Sequence, residues 1–124
     1  MLRDSDIVAN IAVTDMTRAR AFYEGTLGFT PAEQMGDQVV TYQSGKTSVT
    51  VYVSEFAGTN KATTLAWQVP DAKAAAAELA SKGVRFEHYD MPGTTREGDI
   101  HVGYGMRAAW FKDPDGNILQ LLSR

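Results

Sequence analysis

The feature that most constrains this chain is that its pattern is written twice. The apolar run from Ile7 to Val13 stops at Thr14-Asp15, and Met16, Ala19, Phe22, Tyr23 and Leu27 then recur on one helix face before Gly28. The run from Thr64 to Val69 stops at Pro70-Asp71 in the same way, and AKAAAAELASKG follows, rich in helix formers and closed by Gly83. Placing Asp71 on Asp15 carries Ala75 onto Ala19 and Ala77 onto Ala21 at a constant offset of about 56 residues. Because 124 residues suit one ordinary domain, the copies read as modules 1–58 and 59–124 of a single domain, 1–124.

Strand-like runs fill out each copy. Phe29 to Gln34, Gln38 to Gln43 and Ser48 to Ser54 follow the first helix, the last two joined by a Ser44-Gly45-Lys46 turn. The second copy continues with Val84 to Tyr89, a long polar segment Asp90 to Gly105, then Arg107 to Lys112 and Ile118 to Ser123. The fold class expected is therefore α+β, two βαβββ modules. A segment as long as 90–105 reads as a loop, and its aromatics, acids and glycines suit a mobile cover over a pocket. Asp113-Pro114-Asp115-Gly116-Asn117 brings its glycine too early for a calcium loop of the EF-hand type and reads as a turn.

Several function classes fall away on composition. The net charge is −3, from 12 basic and 15 acidic residues, and the basic ones are scattered rather than gathered into a stripe for phosphates, so no nucleic-acid partner is expected. No apolar stretch approaches a membrane span, and charges interrupt the N-terminal segment before a signal-like run begins. Cysteine is absent, which removes thiolate metal sites and cysteine nucleophiles and fits a cytoplasmic location.

The segments IAVTDMTRARAFYEGTLGF, LAWQVPDAKAAAAELASKGV and AAWFKDPDGNILQLL together resemble the glyoxalase/bleomycin resistance family of the vicinal oxygen chelate superfamily. That resemblance covers nearly the whole chain. It implies two βαβββ modules whose sheets curl into a U-shaped, partly open cavity with helices on the outer face, and a homodimer. In metal-dependent members, His, Gln or Glu side chains from the first and last strands of each module hold one divalent ion. Carried onto this sequence, those positions are Val8, Thr50, Thr64 and Gln120. Such a set lacks the imidazole and carboxylate donors that first-row metals require, so neither a metal nor another cofactor is expected.

Strand alternation describes the cavity wall independently. One parity is apolar (Ile11, Val13, Val49, Val51, Leu65, Trp67, Leu119, Leu121) and belongs against the helices. The other carries Asn10, Ser48, Thr50, Tyr52, Thr64, Gln68 and Gln120, neutral donors and acceptors suited to orienting a small polar or aromatic molecule. Trp110 and Phe111 alternate, so one of them faces the cavity; Trp110 joins the candidate ligand contacts, as does Tyr104 from the long segment. Trp67 has the parity of core packing.

The expected function is therefore binding of a small polar or aromatic organic molecule without a tightly held metal. The uncharged wall does not specifically suit a cationic drug. The alternative is an enzyme of the same superfamily, a lyase, isomerase or dioxygenase, with His101, Glu97 or Asp99 delivered from the long segment as acid or base, or with metal ligands placed elsewhere.

Overall fold

A computed structural model describes all 124 residues, and its contacts divide the chain into two compact units, Met1–Thr59 and Asn60–Arg124. In the first unit a short 3-10 turn precedes β1 (Ala9–Val13), and a helix leads to β2 (Thr30–Met35), β3 (Val39–Ser44) and β4 (Thr47–Val53). The sheet order is β1-β4-β3-β2, with β1 parallel to β4 and the other pairs antiparallel. A parallel pair needs a long crossover. The helix and the two intervening strands supply it.

Asp15 caps that helix by accepting the Arg18 N–H at 3.1 Å. The spacing predicts one regular helix to Gly28, but only α1 (Met16–Arg20) is α-helical; Ala21–Thr26 is wound as a π-helix, with the Leu27 N–H donating to the Phe22 carbonyl at 2.9 Å. In this wider winding Tyr23 is fully buried, its ring 6.2 Å from Tyr42 and 6.3 Å from Phe29. The helix-side face of the sheet is completed by Ile11, Val13, Val40, Val49 and Val51, all buried. Register explains the selection: Ile11 and Val40 both pair with Val51, so one apolar row crosses three strands.

The second unit repeats the plan with one addition. Its sheet runs β5 (Thr63–Gln68), β10 (Ile118–Ser123), β9 (Met106–Lys112), β8 (Ile100–Gly103) and β7 (Thr95–Glu97), and the two-residue β6 (Phe86–Glu87) also pairs with β9. Again the first and last strands are parallel, β5 with β10. Asp71 caps α2 (Ala72–Ser81) by accepting the Ala74 N–H at 3.1 Å, the same offset and length as at Asp15. α2 packs on β9 and β10, where Ala72, Ala76, Ala109, Phe111, Leu119 and Leu121 are buried and Trp67 stacks on Phe111 at 6.1 Å. Trp67 is thus on the helix side, as its parity requires.

Residues 90–105 are not the irregular loop their polarity suggests. β7 and β8 form an antiparallel hairpin around Gly98-Asp99, and β8 continues onto the edge of β9 at Met106, Arg107 and Ala108, beside the stretch that β6 occupies at Trp110 and Phe111. The segment Asp113–Asn117 is a turn: the Asp113 carboxylate accepts the N–H groups of Asp115 and Asn117 at 2.9 Å, and Gly116 adopts φ of 87°. No helix is long and apolar enough to cross a membrane.

Candidate functional site

In the first unit the face away from the helix is built by register. Asn10, Thr50 and Thr41 form one cross-strand row, Ala12, Tyr52 and Val39 the next, and Ser48 pairs with Gln43. The Thr41 and Thr50 hydroxyls lie 3.1 Å apart, and the Asn10 side chain donates to the Val8 carbonyl at 3.2 Å. Tyr52 is part-exposed at 37%. All four residues expected on this wall, Asn10, Ser48, Thr50 and Tyr52, therefore share a face that is uncharged along β1 and β4.

In the second unit the corresponding face carries Gln68 and Leu122 in one row and Ala66, Gln120 and Trp110 in the next. Trp110, not Phe111, stands beside Gln120, but it is buried: Ala108, Ile118, Tyr89, Met91 and Leu122 pack with it. The placement of Thr64 departs from simple alternation. Ile118 pairs with Thr63 and Leu119 with Leu65, so Thr64 is left without a partner in a bulge, and its hydroxyl accepts from Asn60 Nδ2 at 3.4 Å. The hydroxyl that meets this face is that of Thr63, which accepts the Trp110 Nε1–H at 3.0 Å.

The candidate acid–base residues do not converge. Arg96 pairs with His101 and Glu97 with Ile100, so Glu97 and His101 point to opposite faces of the hairpin. Glu97 is exposed, in a groove with Lys73, Ile100 and Arg107. Asp99 is held by His88 Nε2 at 2.7 Å. His101 is not a solvated loop histidine: it is 3% exposed, and its Nε2 accepts the Tyr89 backbone N–H at 3.0 Å. Tyr104 is 79% exposed, and its hydroxyl donates to the Pro92 carbonyl at 2.9 Å.

Beneath the hairpin lies a cavity of about 340 Å³ lined by residues of the segment 89–96 and by His101. Sequence reasoning missed Tyr89, Met91 and Arg96 as its walls. The signal was the Gly98-Asp99 dipeptide, a hairpin turn that places Arg96 opposite His101 once it is read as one.

The residues at the superfamily's metal positions do not fit a divalent ion. Within the first unit the partner of Thr50 is Asn10, and Val8 offers no donor; within the second the partner of Gln120 is Ala66. Neither unit brings together three or more His, Asp or Glu side chains able to hold a metal.

No curated protein matches the chain. Among solved structures, a superfamily member from Sphaerobacter thermophilus DSM 20745 is 26% identical with a TM-score of 0.67, covering 97% of each chain. A lactoylglutathione lyase from Agrobacterium tumefaciens is 14% identical with a TM-score of 0.71, covering 96% of this chain and 92% of the other. A glyoxalase/bleomycin resistance protein from Streptomyces sp. CB03234 is 22% identical with a TM-score of 0.60, covering 94% and 98%. With the family model matched over residues 6–121, and in each unit a strand, a helix and then strands whose last member lies parallel to the first, the chain belongs to the Glyoxalase/Bleomycin resistance protein/Dioxygenase superfamily.

Proposed function

We propose that this chain binds a small polar or aromatic organic molecule against uncharged strands, β1 and β4 of the first sheet or β5 and β10 of the second, without a tightly held metal. One observation carries the reading: the positions where metal-dependent relatives need ligands hold Val8, Thr50, Thr64 and Gln120, and the strand partners of Thr50 and Gln120 are Asn10 and Ala66. Amide and hydroxyl groups at these positions can orient a ligand by hydrogen bonding, whereas metal-stabilised oxyanion chemistry has no donor set to build on. A homodimer and a cytoplasmic location belong to the same proposal, on the family resemblance and on the absence of cysteine.

The test is elemental analysis of untagged protein purified without chelator, with zinc, nickel, manganese and iron titrations, followed by a thermal-shift screen of small organic molecules. The expected result is no stoichiometric metal and at least one stabilising ligand whose effect falls in Gln120→Ala or Thr50→Ala. Tight stoichiometric metal would instead move the reading to a lyase, isomerase or dioxygenase. Sedimentation velocity reads the oligomeric state.

A further inference from the structure

His101 holds a chemical demand that the protein itself leaves unmet. A backbone amide only donates, so the Nε2 that receives the Tyr89 N–H must present its lone pair, and the neutral ring then carries its proton on Nδ1. That Nδ1 is buried and has no partner. The Tyr89 hydroxyl is the other buried side-chain group without a partner. Unmet buried donors are rare in native proteins because each forfeits its hydration for nothing. Here the two belong to residues whose rings lie 6.2 Å apart and which line the same cavity of about 340 Å³. A cavity of that size falls in the range of small-molecule sites.

The lining indicates the class of ligand. Two separate donors call for a group with two acceptor oxygens. Arg96, the register partner of His101 on the hairpin, adds positive charge to the same wall, opposed by Asp90. Met91 and Pro92 supply apolar surface. The donors are held in place: the His101 ring meets Trp110 edge-on at 4.8 Å, and the Tyr89 ring does so at 5.4 Å.

We propose that the hairpin cavity of the second unit binds a small organic carboxylate, whose oxygens accept from His101 Nδ1–H and from the Tyr89 hydroxyl. The proposal rests on the small-molecule-binding reading and adds to it a ligand class and a location, the hairpin end of the second sheet, where His101 lies in one row with Ala108, Leu122 and Gln68.

Benzoate, phenylacetate and hexanoate are titrated into the full chain, with benzamide and benzylamine as controls, followed by tryptophan fluorescence and by nitrogen-edited NMR of the imidazoles. At least one carboxylate is expected to bind and to shift the His101 Nδ1–H resonance while Nε2 stays an acceptor. Tyr89→Phe and His101→Phe are each expected to weaken it by about tenfold. The NMR shift in the unaltered protein decides the matter if a variant fails to fold. Binding of none of the three carboxylates, equal binding of benzylamine, or an unmoved Nδ1–H resonance overturns the proposal. Carboxylate binding that falls in Gln120→Ala but survives Tyr89→Phe also overturns it, while leaving the small-molecule reading standing.

Discussion

The hydroxyl of Tyr42 donates to Oε2 of Glu24 at 2.7 Å, and Arg20 Nε donates to the same oxygen at 2.6 Å. The π-helical turn thus presents a carboxylate to a fully buried tyrosine and a partly exposed arginine at once. The Arg20 guanidinium, aided by the Tyr42 hydroxyl, holds the Glu24 carboxyl below its ordinary range against the opposing effect of burial. Burial and the Glu24 carboxylate push the Tyr42 phenol well above its own range.

Acid stability follows from the sign of the Glu24 shift. A carboxyl whose folded value is depressed contributes stability above its unfolded value, about 4.3, and loses that contribution as pH falls through the folded value. The melting temperature should therefore drop on acidification below about pH 4, and Glu24→Gln should flatten that part of the profile. Tyr42→Phe should cost about 1–2 kcal/mol at neutral pH, read by urea denaturation.

Much of this arrangement is legible in the sequence, for identifiable reasons. Asp15 and Asp71 announce their helices because a short acceptor before a helix-forming run has one good use. Val49 and Val51 separate from Thr50 and Tyr52 because a regular strand preserves parity from end to end. Parity fails where regularity fails. The bulge beside Ile118 hands the Trp110 contact from Thr64 to Thr63, and the polar segment from Asp90 hides strands only three and four residues long. His101 is buried because its strand lands on the edge of β9, and no local pattern encodes where a hairpin lands. The π winding is equally obscure, since Phe22, Tyr23 and Leu27 satisfy an α-helical face as well.

The start of α2 offers a comparison between two kinds of cap. Asp71 satisfies the Ala74 N–H from an exposed position, whereas Ser123 Oγ accepts the Ala72 N–H at 3.1 Å in a buried one. Asp71→Ala should cost about 1 kcal/mol. Ser123→Ala leaves a buried amide unpaired and should cost about 1–3 kcal/mol. Denaturation midpoints at one pH compare the two directly, and a larger loss in Asp71→Ala would contradict the assignment.

Two glycines hold the hairpin closed. A side chain at Gly93, where φ is 82°, would run into the Tyr104 hydroxyl, and a Cβ at Gly103 would stand 2.9 Å from the Thr94 side chain and collide with the Gly93 carbonyl. Gly103→Ala has only backbone and a short side chain to displace, so it should open the segment, seen as faster proteolytic cleavage between residues 90 and 105. Gly93→Ala should do the same, and adding Tyr104→Ala should restore only part of the protection, because the positive φ remains unfavourable for alanine.

The adjacent threonines of β5 provide the sharpest test of the bulge. Thr63 is exposed as a residue, yet its hydroxyl is the acceptor for the indole N–H of a buried tryptophan. Replacing it by valine keeps the shape and β propensity while leaving Trp110 Nε1 without that partner, at a cost of about 1–3 kcal/mol. The same replacement at Thr64 removes only a long contact with the exposed Asn60 and should cost less than about 0.5 kcal/mol. Indole N–H chemical shifts should agree: Trp110 moves in Thr63→Val and stays in Thr64→Val, and the reverse outcome would mean that β5 keeps simple alternation through Thr64, with no bulge.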